Sequence, residues 1–186
     1  RSEDECLVIN MNSGEQDALR RSLNQYGNLF IRSNKAISII EKIRAKADSF
    51  VDEMVSAIDT FGIPSKVRGH EEHEEGDILL VHSDGANSSK TSYISRDVVT
   101  KNAHLIDKYK VRISILVPQN GEAGVKPEKG YRSMSTPHLV YPGQVDSFSY
   151  LNIGFFDNET EAENFRKYMM CKLPRFMMRT TYSSAH

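Results

Sequence analysis

From Ile37 onward the apolar residues Ile37, Ile40, Ile43, Ala47, Val51, Met54, Val55 and Ile58 recur at steps of three and four. That spacing lines them along one face of a helix over residues 37–58. The helix is expected to pack on a core and to stop at Phe61-Gly62-Ile63-Pro64, where glycine caps and proline cannot continue. Before it the pattern is thin. Leu7-Val8-Ile9 reads as a short strand, and residues 16–26 read as a polar helical turn or two.

After Pro64 the period changes to two. Residues 77–82 and 91–95 each read as a strand, and the turn-rich residues 83–90 join them in a hairpin. Ser95 or Asp97 then caps a helix with Val98, Val99, Leu105, Ile106 and Tyr109 as its apolar positions, and the β-branched run 111–117 follows as a strand. Residues 118–137, rich in Gly, Pro and Lys, read as a surface loop or flap, of a length that often carries function. Two more strands are expected at 138–141 and 147–155. The acidic residues of 157–163 open a helix whose dipole they suit, with Ala162, Phe165, Met169 and Leu173 as its stripe. Pro174 should kink or split that helix, and Cys171 reads as a packed core thiol on it. The mixture predicts an α/β (α+β) fold, a mixed sheet with flanking helices.

A length of 186 residues suits one domain or two small ones. Hydrophobic residues at 39 % and charged residues at 26 % exclude low-complexity disorder and a fibrous repeat. Cys6 and Cys171 have no ligand-like spacing, so neither a disulfide framework nor a zinc site is expected, and a reducing, cytoplasmic compartment fits. No apolar run approaches the roughly 20 residues that span a bilayer, and Arg1-Ser2-Glu3-Asp4-Glu5 lacks a signal-peptide core. Without an initiator Met, the chain reads as a piece of a longer polypeptide.

Familiar catalytic signatures are missing. There is no G-x-G-x-x-G, no G-x-x-x-x-G-K-[ST] and no G-x-S-x-G, so the dinucleotide loop, phosphate loop and nucleophile elbow are excluded. No acid is followed two positions later by lysine, as a common nuclease core requires, and no Asn-Pro or Asp-Pro dipeptide offers the loop used in amine-directed DNA methylation. In His70-Glu71-Glu72-His73-Glu74-Glu75 the histidines are three apart rather than the four of H-E-x-x-H. The segment reads as a solvated acidic turn, with a metal-dependent hydrolase on His70 and His73 as the competing reading.

Charge changes the picture. The net charge is −1, yet residues 1–84 carry 10 basic and 16 acidic side chains and residues 85–138 carry 9 and 4. The positive stretch holds Lys90, Arg96, Lys101, Lys108, Lys110, Arg112, Lys126, Lys129 and Arg132, interleaved with Tyr93, Asn102, Tyr109 and Tyr131. Such side chains reach phosphates and base edges, so this stretch is an electrostatic footprint for nucleic acid.

The same region, from Ser92-Tyr93-Ile94-Ser95-Arg96-Asp97-Val98-Val99-Thr100-Lys101-Asn102 through Leu105-Ile106-Asp107-Lys108-Tyr109-Lys110-Val111-Arg112-Ile113-Ser114, resembles the C-terminal target-recognition region of restriction-modification adenine-specific DNA methyltransferases. Ala36-Ile37-Ser38-Ile39-Ile40-Glu41-Lys42-Ile43, the 61–64 turn, and the segments at 155–157, 161–165 and 175–176 occur in the family's order. The resemblance covers residues 29–186, after a weakly organised segment 1–28. Two departures stand out: Pro174 interrupts a helix the family leaves unbroken, and the chain stops where family members continue into another strand.

The resemblance implies a specificity module that reads double-stranded DNA for a methylase or a fused restriction enzyme. The catalytic domain and its S-adenosylmethionine site would lie elsewhere in the parent chain, so this piece would be neither catalytic nor cofactor-bound by itself, and no membrane is involved. Lys90, Arg96, Lys101, Lys108 and Arg132 are then expected to neutralise phosphates. Arg68, Tyr93, Ser95 and Asn102 are the candidates for base-edge or close backbone contacts. The competing reading is a protein-interaction or scaffolding domain, in which the acidic first section and its amphipathic helix dock onto another subunit of the assembly.

Overall fold

A computed structural model describes residues 5–12, 15–23, 25–26, 31, 33–84, 89–115 and 134–181. Its elements run β1 (Glu5–Asn12), β2 (Glu15–Ser22), α1 (Asn34–Arg44), β3 (Asp77–Ser83), β4 (Ser89–Ser95), β5 (Tyr109–Ser114), β6 (His138–Val140), β7 (Gln144–Asp146), β8 (Tyr150–Phe156), α2 (Glu159–Met169) and α3 (Lys172–Thr181). The fold is α+β, with three small sheets. The chain divides into two units, residues 1–49 with 172–186, and residues 50–171.

In the first unit β1 and β2 form an antiparallel pair, with Val8 opposite Leu19 and Asn10 opposite Asp17. Residues 16–26, expected to form a polar helical turn or two, are strand as far as Ser22; pairing with the apolar β1 overrides the local helical preference of Gln, Ala, Leu and Arg. Helix α1 buries Ala36, Ile37 and Ile40 with Ile31, and Phe176 and Met177 of α3 pack on the same cluster. Asn34 ties helix to hairpin: its backbone N–H donates to Asn10 Oδ1 at 2.8 Å, its Nδ2 donates to the Val8 carbonyl at 2.8 Å, and its Oδ1 accepts from Arg21 Nε at 3.1 Å.

The helix expected over residues 37–58 stops at Arg44. Beyond it Val51–Met54 is one 3-10 turn, and Met54 and Ile58 are exposed. The reason is tertiary. Ser56 is drawn to β8 of the second unit, where its N–H and Oγ both donate to the Asn152 carbonyl at 2.9 and 3.0 Å.

Two sheets build the second unit, in the orders β4-β3-β7 and β6-β5-β8. The expected hairpin is present, β3 pairing β4 from Asp77–Ser95 to Ser83–Ser89. On its other edge β3 pairs in parallel with β7, a three-residue strand too short to leave a periodic signal. Being central, β3 and β5 are covered on both faces: β3 carries the apolar run Ile78–Val81, whereas β5 alternates Val111 and Ile113 with Lys110 and Arg112, all four of them buried. Phe61, Ile63, Ile78, Leu80, Ile94, Ile106 and Val145 form the core. Helix α2 packs across β5, β6 and β8 with Ala162 and Met169 buried, and the Phe165 ring lies 5.3 Å from that of Phe156.

Two further expectations change. The helix read between β4 and β5 is instead two 3-10 turns, Arg96–Val98 and Ala103–Leu105. Consecutive β-branched Val98, Val99 and Thr100 disfavour a helix, and the N–H groups of Thr100 and Lys101 turn away to donate to the Phe61 carbonyl at 3.1 and 3.3 Å. Cys171, expected in the core, is exposed at the break between α2 and α3. Pro174 sits in the first turn of α3, where its missing N–H has no intrahelical acceptor to lose, so the helix is split as anticipated.

Candidate functional site

The excursion from Arg96 to Lys108 is held to the core at two places. Gly62 has a φ of +69°, and a Cβ there would fall 2.0 Å from Thr100 Oγ1, so this position admits glycine only. The Thr100 hydroxyl donates to the Gly62 carbonyl at 3.2 Å. Asn102 adopts a left-handed conformation, φ 51° and ψ 36°, and its Nδ2 donates to the Thr60 carbonyl at 2.8 Å. Its amide thus clamps the turn to the 59–64 segment.

Anchored in this way, the excursion displays three of the expected phosphate-binding cations, each facing an aspartate. Arg96 pairs with Asp107 across the two ends of the excursion, Lys101 reaches Asp59 at 2.8 Å, and Lys108 pairs with Asp157 just after β8. At the far end of the hairpin Lys90 reaches Asp84 at 2.8 Å, which holds the Asp84 carboxyl below the usual range. All four basic side chains remain substantially exposed, at 63 % for Lys90, 47 % for Arg96, 56 % for Lys101 and 39 % for Lys108.

The other candidates divide. Arg68 is exposed, but its guanidinium turns back to donate to the carbonyls of Ser65 and Val67. Tyr93 is half-buried: its backbone exchanges hydrogen bonds with His70 at 2.8 and 2.9 Å, and its ring meets His73 edge-on at 5.1 Å. Ser95 Oγ accepts from the Asp97 N–H at 3.4 Å, capping the first 3-10 turn. Arg132, with Lys126 and Lys129, lies outside the described residues.

Lys110 and Arg112 correct the charge footprint. Both point inward, 0 % and 9 % exposed, and are withdrawn from any phosphate. Lys110 Nζ donates to the carbonyls of Ile106 and Lys108 at 2.8 and 2.7 Å, and burial pushes its pKa down to about 8 against the pull of Asp146 and Asp107. The Arg112 guanidinium stacks 4.6 Å from the centre of the Tyr150 ring. Both face Asp146, whose two oxygens accept from Asn152 Nδ2 at 3.1 Å each. Burial drives the Asp146 carboxyl up to about 6, more than Arg112, Asn152 and Lys110 draw it down. A β-bulge between Val111 and Arg112, opposite β8, sets Arg112 across from Asn152. No sequence signal marked this internal cluster, because a strand lysine or arginine reads as exposed until its neighbours are known.

In the acidic turn, His70 Nε2 lies 2.5 Å from Asp77 Oδ2, which also accepts from the Glu74 N–H at 3.0 Å; these contacts hold the Asp77 carboxyl below its usual range. The turn is thus stitched to the start of β3. Among the described residues no group of three His, Cys, Asp or Glu side chains is arranged to hold a metal, and no helix is long and apolar enough to cross a membrane. Searched against models of known families, curated proteins and solved structures, the chain matches none.

Proposed function

We propose that this chain is the sequence-reading module of a restriction-modification enzyme, binding double-stranded DNA and placing it for a catalytic domain carried elsewhere in the parent chain. The observation that carries the reading is the anchored excursion between β4 and β5, which holds Arg96, Lys101 and Lys108 at the surface on a backbone tied to the core. Exposed ion pairs of this kind contribute only about 0–1 kcal/mol each, so a phosphate can take the place of the carboxylate. Lys90, on β4, adds a fourth cation, and the exposed Ser95 and Arg68 and the half-buried Tyr93 are the neighbours offered to base edges. An adenine flipped from the duplex would enter the parent's catalytic domain, where S-adenosylmethionine would supply the methyl group; the module itself would work in the cytoplasm without a cofactor.

The test is duplex binding as a function of salt, because phosphate contacts release counterions. Affinity should fall steeply as ionic strength rises, and the double variant Arg96→Ala/Lys101→Ala should bind every duplex sequence roughly tenfold more weakly. Absent or salt-insensitive binding would remove the reading. Equal affinity of the double variant would remove the assignment of those two residues.

One observation favours a second reading, docking onto another subunit of the same assembly. Leu7, Ile9 and Met11 share one face of β1 and are 56, 49 and 75 % exposed. Mass measurement of the chain mixed with a partner subunit tests it: a complex that survives Leu7→Ser/Ile9→Ser unchanged rules this face out.

A further inference from the structure

Each of the four described cations assigned to phosphates is matched to one aspartate: Lys90 to Asp84, Arg96 to Asp107, Lys101 to Asp59 and Lys108 to Asp157. The matching is not a local accident. Asp59 and Asp157 come from segments 42 and 49 positions away from their cations, and Asp107 from 11 positions away. Nor is it forced by burial: the side chains of Asp107 and Asp157 are 62 % and 82 % exposed, although Asp107 also attracts the buried Lys110 ammonium.

We propose that these aspartates are resident counter-charges, standing in the free protein where backbone phosphates stand in the complex, and that they set how tightly the module holds any duplex. The inference rests on the DNA reading above. A paired cation is kept extended toward the site, but each pairing must be given up when a phosphate arrives. The displaced carboxylate stays nearby and repels the phosphate through a screened but short distance. Binding to phosphates alone is thereby weakened, which leaves base contacts a larger share in deciding where the module stays. Asp107 and Asp157 are thus specificity-determining residues that need touch no base.

The experiment is titration of one non-cognate duplex, at several salt concentrations, with the full chain and with Asp107→Asn, Asp157→Asn and both together. Asp97→Asn is the control: Asp97 lies in the same 3-10 turn as Arg96 and changes the net charge equally, but its carboxylate makes no ion pair among the described residues. Each paired variant should bind about two- to fivefold more tightly at low salt, the range a surface pair supports, with a smaller change for the control. Arg96→Ala should also cost more affinity in the Asp107→Asn background than in the original chain. An equal gain from Asp97→Asn, or no gain from the paired variants while the original chain binds, would overturn the inference and leave the DNA reading standing. No binding by any of the proteins would overturn both.

Discussion

Asp146 sits 2 % exposed between two buried cations, and its carboxyl is nonetheless raised to about 6 from an ordinary 3.8 because loss of water outweighs the attraction of Arg112 and Lys110. The folded protein holds this proton more firmly than the unfolded chain does. Its contribution to stability is therefore fully present below about 3.8 and lost as pH rises through about 6. In Asp146→Asn that dependence is gone. The stability of the original chain relative to the variant should rise on acidification from pH 6 to pH 4, by up to about 1.4 kcal/mol per pH unit. Urea unfolding of both proteins across that range measures it, and a gap that does not move with pH would refute it. None of this was visible in the sequence, where Lys110 and Arg112 counted toward a basic surface. Whether a charged strand residue faces solvent or core depends on what covers the sheet, and that is set by distant segments.

At the scale of single elements, α2 shows what local chemistry can dictate. The acidic residues near its start marked the right place, and the structure supplies the cap: Asn158 Oδ1 accepts from the Glu161 N–H at 2.9 Å. Within the helix, Glu163 is gripped by Arg166 at 2.6 and 2.7 Å and held down to about 2 by that contact. Asn158→Ala should cost about 1 kcal/mol, read as a lowered denaturant midpoint, and Asn158→Ser should restore most of it; an unchanged midpoint for the alanine variant would show that the cap contributes nothing. The β3–β4 hairpin was legible for the same reason, since its strands and turn residues agree with one another. Elements with conflicting signals were not. Residues 45–58 carry a helical stripe but are drawn to Asn152, and residues 98–105 carry caps and apolar spacing but are drawn to Phe61 and Thr60.

For the molecule as a whole, a net charge of −1 says little until the charges are placed. Of the basic residues in 85–138, Lys90, Arg96, Lys101 and Lys108 are the described ones that reach the surface, while Lys110 and Arg112 do not. If those four meet phosphates, log K should fall against log salt with a slope of about −3 to −4. A slope near −1 would show that most of them stay with their aspartates. Composition and periodicity by themselves determined an α+β chain, its best-formed hairpin, the helix after β8 and its break at Pro174, because these follow from side-chain alternation, capping and proline chemistry within a few residues. Only the tertiary structure decided that β1 and β2 pair, that the long amphipathic stripe breaks after Arg44, which lysines are buried, and which aspartate faces each exposed cation. Those outcomes rest on contacts between segments tens of residues apart, where the energy of covering a sheet or pairing a charge exceeds the few tenths of a kcal/mol by which local preference differs.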